Sequence, residues 1–182
     1  MTTERTIEGD ISAAVADAGL ILRDTYSKPF WPRADEADPS ERHLSFGVAA
    51  ALRLRGYTTY FEVPFRGGYV DLVAVDWKRE WQVAAEFKNL YRGKKQATSM
   101  ANDVTRLKEW SGLKTHPPVQ LRRLVVGSTW HPDIAEDWKA SESEVFSKVR
   151  QALGRQVEWK QADGAKIPES QFPNQSLLWT AW

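Results

Sequence analysis

The chain has 182 residues, 42% of them hydrophobic and 27% charged, enough for one globular domain with a proper core. Its 25 Lys and Arg against 24 Asp and Glu leave a formal net charge of +1, which excludes a global basic signature and leaves any nucleic-acid partner to local patches. The absence of Cys excludes disulfides and thiolate zinc sites and fits a reducing compartment. Met1–Asp10 is polar and acidic, unlike a signal peptide, and no apolar run approaches membrane-spanning length, so the expectation is a cytoplasmic protein without a membrane partner. The nine Trp are expected to fill core or interface.

Ile7–Arg23 carries helical spacing in Ile11, Ala14, Val15, Ala18 and Leu22, with Gly19 as an interruption. Tyr26–Ser40 holds Pro29, Pro32 and Pro39 and reads as a loop. A helix is predicted from Pro39 to Arg55, stopped by Gly56. Tyr57–Phe65 reads as the first strand, and Gly67-Gly68 as a tight reversal into Tyr69–Asp76. The polar run Trp77–Glu80 connects that strand to Trp81–Lys88. A basic connection, Arg92-Gly93-Lys94-Lys95, leads to a helix over Gln96–Trp110 with Met100, Val104 and Leu107 as its apolar face. Leu121–Ser128 reads as a strand, Trp130-His131-Pro132 as a loop and Glu142–Leu153 as a helix, and the chain ends in Leu177-Leu178-Trp179-Thr180-Ala181-Trp182.

From Pro39 the order is helix, three strands, helix, strand, helix, an α/β architecture with a mixed sheet. In the central hairpin Val73, Val75 and Ala84 share one face, while Val70, Leu72, Ala74, Val83, Ala85 and Phe87 share the other. A sheet apolar on both sides is expected to be flanked by helices on both faces. The domain division that follows is an N-terminal helical extension and loop over 1–38, an α/β core over 39–160, and a tail over 161–182 packing on the core or a partner.

The chemistry concentrates in that hairpin. With the turn centred between Lys78 and Arg79, Asp76 faces Trp81 and Asp71 faces Glu86, and Lys88 points the same way as Glu86. Two carboxylates and an ammonium are costly to bury on an apolar hairpin without a task, and a divalent cation supplies one. Acid-x-Lys occurs four times here, but only Glu86-Phe87-Lys88 ends a Val/Ala-rich strand with an acid registered opposite it. Glu41 has two readings. It shares a stripe with Leu44, Val48 and Leu52 and could lend a helix-borne ligand, and Asp38-Pro39-Ser40-Glu41 also fits a capping box. Glu62 is the rival third acid: with the reversal centred on Gly67-Gly68, it lies diagonal to Asp71 on the same face, and its alternative is a solvated charge on an edge strand. Asp103 and Arg106, at i,i+3, read as a surface ion pair. His43, His116 and His131 show no ligand spacing.

At Asp71 and Glu86-Phe87-Lys88, over roughly residues 38–130, the chain resembles the PD-(D/E)XK nuclease superfamily with its restriction-endonuclease-like fold. Val70 stands where the family name has Pro. The resemblance implies Asp71 as the first acid, Glu86 as the second and Lys88 as the catalytic lysine. It also implies a metal site of Asp71, Glu86, the Phe87 carbonyl and Glu41, or Glu62 in place of Glu41. The cofactor would be Mg²⁺, with Mn²⁺ able to substitute, and the reaction metal-dependent phosphodiester hydrolysis, in DNA in the first instance. Lys88 would orient or deprotonate the attacking water and offset developing charge. Arg92, Lys94 and Lys95 would grip phosphates, and a homodimer follows by analogy. The reading from a different class is a catalytically inactive module of the same fold that binds nucleic acid or protein. No glycine-rich phosphate loop and no Gly-x-Ser-x-Gly elbow supports another α/β enzyme.

Overall fold

The computed structural model describes residues 5–26, 41–66, 68–90, 94–140, 143–154, 157–166 and 174–182. The Pro-rich loop, the Asp38 cap, Gly67, Arg92 and Glu142 therefore lie outside the described residues. Six strands form one mixed sheet: β1 (Thr58–Phe65), β2 (Gly68–Asp76), β3 (Trp81–Asn89), β4 (Gln120–Thr129), β5 (Lys160–Lys166) and β6 (Asn174–Ala181). Their spatial order is β1-β2-β3-β4-β6-β5. Among the described residues only β3 and β4 run parallel, and the helix α3 (Lys94–Lys108) makes the crossover that a parallel pair requires.

Helices cover both faces of this sheet. On one side α1 (Ile7–Tyr26) and α2 (Glu41–Leu54) bury Ile7, Ile11, Val15, Leu44, Val48 and Leu52 against Leu72, Ala74, Phe87, Leu124 and Trp179. On the other, α3, α4 (Pro132–Lys139) and α5 (Ser147–Leu153) bury Met100, Val104, Leu107, Trp138 and Val149 against Val73, Ala84, Val125 and Leu178. The chain is an α/β protein with its apolar stripes spent on two helix–sheet interfaces.

Several expectations need correction. The helix α1 runs straight through Gly19. A Cβ there would sit 1.9 Å from the Asp163 carbonyl oxygen, so the glycine admits the backbone of β5 rather than breaking the helix. Gly56, with φ of 89°, does end α2. The loop expected at Trp130-His131-Pro132 instead opens α4, because Pro fits the first helical turn, where its missing N–H has no partner to lose. The last helix is shorter than expected and begins at Ser147. The helix α1 packs into the core, and the last segment packs on the core as the strand β6, paired with β4 on one side and β5 on the other. The run Leu177–Trp179 is apolar without alternation because both its faces are covered.

Candidate active site

The hairpin β2–β3 has the expected register. Asp76 faces Trp81, and its Oδ1 accepts the N–H groups of Lys78 and Arg79 at 3.1 Å each, fixing the turn. The paired residues end at Leu72↔Ala85, and continuation brings Asp71 opposite Glu86. There the ladder changes character, for the Phe87 N–H donates to Asp71 Oδ2 at 2.9 Å, a side chain standing in for a backbone carbonyl.

The register of β1 differs from expectation by two residues. Phe65 pairs with Gly68 and Val63 with Val70, because the reversal comes one residue earlier, with Arg66 in the left-handed region at φ 45°. Glu62 therefore stands directly opposite Asp71, not diagonal to it, and has φ of 50°, a strained value for a non-glycine residue. The pairing register is the same on both sides of this point, but the faces of β2 exchange. Leu72 and Ala74 face the α1/α2 layer, whereas Val70, expected beside them, belongs to the α3 layer. This shared irregularity lets Asp71 turn toward β3 instead of following the alternation.

Glu86 and Lys88 point toward α3. Glu86 Oε1 accepts from Arg106 at 2.6 Å, while its Oε2 is buried with no hydrogen-bond partner. Burial, with the charge of Asp71 beside it, pushes the Glu86 carboxyl up to about 8 against the pull of Arg106. Lys88 Nζ lies 3.1 Å from Asp103 Oδ2 and 3.8 Å from Glu41 Oε2. Burial works against its charge, but Asp103, Glu41 and Asp71 outweigh that, and the Lys88 pKa is raised. Asp103 also contacts Arg106, at 3.2 Å, and its own pKa is raised, by burial first. Glu41 Oε1 accepts the Asn89 N–H at 3.1 Å, which ties the start of α2 to the end of β3.

The structure thus gathers Asp71, Glu86, Lys88 and Glu41 in one corner where α2, β2, β3 and α3 meet. It adds Asp103 and Arg106, which are not a surface pair: Asp103 is buried, and each reaches a strand-borne charge. The stripe Met100–Asp103–Leu107 already placed Asp103 on the inner face of α3. Phe87 contributes its backbone here while its ring fills the α1/α2 core. Glu62 lines the adjoining cleft, but its side chain is 67% exposed and meets Arg42 at 3.6 Å. Of the expected phosphate grip, Lys95 is exposed at the start of α3, and Arg92 and the Lys94 side chain lie outside the described residues.

No family model, no curated protein and no solved structure matches this chain.

The donors present suit a hard divalent cation. Four carboxylates, Asp71, Glu86, Asp103 and Glu41, face two cations, Lys88 and Arg106, so the corner is negative when fully ionised. Glu86 Oε2 is an unpartnered carboxylate oxygen beside a second carboxylate, and an oxygen-preferring ion would relieve both burial and repulsion. Among the described residues no three Asp, Glu or His side chains converge as a ready-made cage. No helix among the described residues is long and apolar enough to cross a membrane.

Proposed function

We propose that this chain is a metal-dependent nuclease of the PD-(D/E)XK type, with the restriction-endonuclease-like fold that this type implies. The observation that carries the reading is the unpartnered Glu86 Oε2 beside Asp71, at the strand end where Lys88 is held by carboxylates from two helices. Asp71 and Glu86 would hold Mg²⁺ or Mn²⁺, with the Phe87 carbonyl as a further oxygen and Glu41, already bonded to the next strand residue, as the third acid in preference to Glu62. When bound, the ion would polarise the phosphodiester and supply an ionisable water at neutral pH.

The protein's own residues do the rest. Asp71 is fixed by the Phe87 N–H and so keeps one geometry through turnover. Lys88 stays charged because Asp103 and Glu41 stabilise its ammonium. It therefore acts as a donor that orients the attacking water and offsets charge developing on the phosphoryl oxygens, not as the base that removes a proton. Arg106 restrains Glu86 on its inner side. DNA is the first substrate to try, and a cytoplasmic setting and a homodimer belong to the same proposal.

The test is cleavage of supercoiled, linear and single-stranded DNA and of RNA with Mg²⁺, Mn²⁺ or EDTA, comparing wild type with Asp71→Ala and Lys88→Ala. Cutting that needs metal and disappears in Asp71→Ala, and falls by about 10²-fold or more in Lys88→Ala, is the expected result. Cutting by Lys88→Ala at the wild-type rate refutes its role. One observation favours the inert-module reading: Arg106 already occupies Glu86 Oε1, at 2.6 Å. That reading predicts no cleavage with either metal and no effect of metal on Arg106→Gln.

A further inference from the structure

Beside the charged corner lies a cleft of about 340 Å³ between α2, β1 and the start of β2, with Glu41 and Asp71 on its inner wall. Its outer wall is aromatic. Phe46 of α2 and Phe61 of β1 meet edge to face, with centroids 4.8 Å apart and planes at 61°. They are 54% and 39% exposed, whereas Phe87 of β3 is fully buried and Phe65 of β1 is partly buried against the α3 layer. An edge-to-face pair covers one ring face and leaves others open to a flat partner. Arg42, also on the cleft, has a mostly solvated side chain in a loose 3.6 Å contact with Glu62. Acids for a metal, an outward guanidinium and an uncovered aromatic pair thus share one small space.

We propose that this cleft seats one unpaired nucleotide, its base against Phe46 and Phe61 and its phosphate between Arg42 and the acid corner, so that the protein selects single-stranded over duplex nucleic acid. This rests on the nuclease reading for the identity of the substrate, and it deepens that reading by naming the substrate class. Stacking on aromatic side chains grips single strands without reading their sequence, because every base has a flat face. A continuous duplex hides those faces inside its stack and shows only phosphates and groove edges. The net charge of +1 fits this choice, since a duplex grip relies on many cations and here the aromatic wall replaces them.

The test uses a short oligonucleotide carrying the fluorescent base 2-aminopurine, as single-stranded DNA, as single-stranded RNA and annealed to its complement. Each is titrated in Mg²⁺ with a Lys88→Ala background so that the strands survive. The expected result is fluorescence quenching and tighter binding with single strands than with duplex. Phe46→Ala and Phe61→Ala should each weaken single-strand binding by about 5- to 150-fold, equivalent to about 1–3 kcal/mol, and Phe61→Trp should retain it. Both rings are solvent-exposed, so the Ala variants should stay folded, which far-UV circular dichroism would verify. The DNA and RNA arms identify the sugar. Duplex binding as tight as single-strand binding, or Ala variants that bind like their parent, would overturn the proposal. If this binding pattern appears while the wild type cuts nothing, the aromatic cleft stands and the nuclease reading falls. If the wild type cuts duplex and the Ala variants cut it equally well, the reverse holds.

Discussion

Glu86→Gln should flatten the pH dependence of stability in the metal-free protein. In the folded state Glu86 is buried with Asp71 beside it and Arg106 and Asp103 facing it from α3, and its carboxyl is raised from 4.5 to about 8. Between those values the folded chain keeps a proton that the unfolded chain has released. The stability from this group is complete below pH 4.5, falls as pH rises, and is gone above about 8. The full change is on the order of 5 kcal/mol, and between pH 5.5 and 8.5 it comes to roughly 3 kcal/mol. That is a large share of a typical folding free energy of about 5–15 kcal/mol. Gln cannot ionise, so the variant loses this slope, while its altered contact with Arg106 adds a constant offset of about 1–3 kcal/mol. Urea unfolding followed by Trp fluorescence in EDTA at pH 5.5, 7.0 and 8.5 measures both terms, and other titrating groups cancel in the difference between the two proteins. Mg²⁺ at pH 8.5 should stabilise the wild type more than the variant. Parallel stability curves for the two proteins would sink the argument that Glu86 is held protonated by its surroundings.

Two other perturbations test neighbouring parts of the structure. Gly19→Ala places a Cβ against the Asp163 carbonyl oxygen and should cost about 1–3 kcal/mol by forcing α1 from β5, read as a lower Tm; an unchanged Tm would mean that the two elements are not in close contact. Asp103→Asn removes the nearest countercharge of Lys88, so the Lys88 pKa should fall, measurable by NMR titration of its ε-carbon; an unchanged titration would show that Asp103 does not hold the ammonium.

The residues legible in the sequence are those whose positions follow from one turn. Asp76 and the polar run after it fix the β2–β3 register, so the meeting of Asp71 and Glu86 could be counted out directly. Glu62 could not be placed the same way. The Gly67-Gly68 pair suggests a reversal centred on glycine, but Arg66 takes a left-handed conformation and shifts the register by two. Asp103 was hidden by its spacing to Arg106, which mimics an ordinary surface pair, although its place between Met100 and Leu107 points inward. The last two strands were hidden for opposite reasons. Lys160–Lys166 is too polar to look like a strand, and Leu177–Trp179 is too uniformly apolar to alternate. Each gains its meaning only from the neighbour it pairs with.

The corner also explains why the irregularity in β1 and β2 falls where it does. Had β2 kept its alternation, Asp71 would project from one face of the sheet and leave the Phe87 N–H to a backbone carbonyl. The irregularity at Glu62 and Asp71 instead aims a carboxylate toward β3, where it accepts the Phe87 N–H and repels the buried Glu86. A left-handed non-glycine residue costs on the order of 1–3 kcal/mol, and the raised Glu86 carboxyl adds its own penalty above pH 4.5. A β-branched residue such as Val suits a strand and carries no ionisation penalty. Asp71→Val with Glu86→Val should therefore stabilise the metal-free fold at pH 8.5 once Arg106 is also made Met, because Glu86 and the cation that faces it leave together while Asp103 keeps Lys88 as its partner. A triple variant less stable than wild type would mean that the acids are structural, and the case for a functional corner would lose its energetic basis.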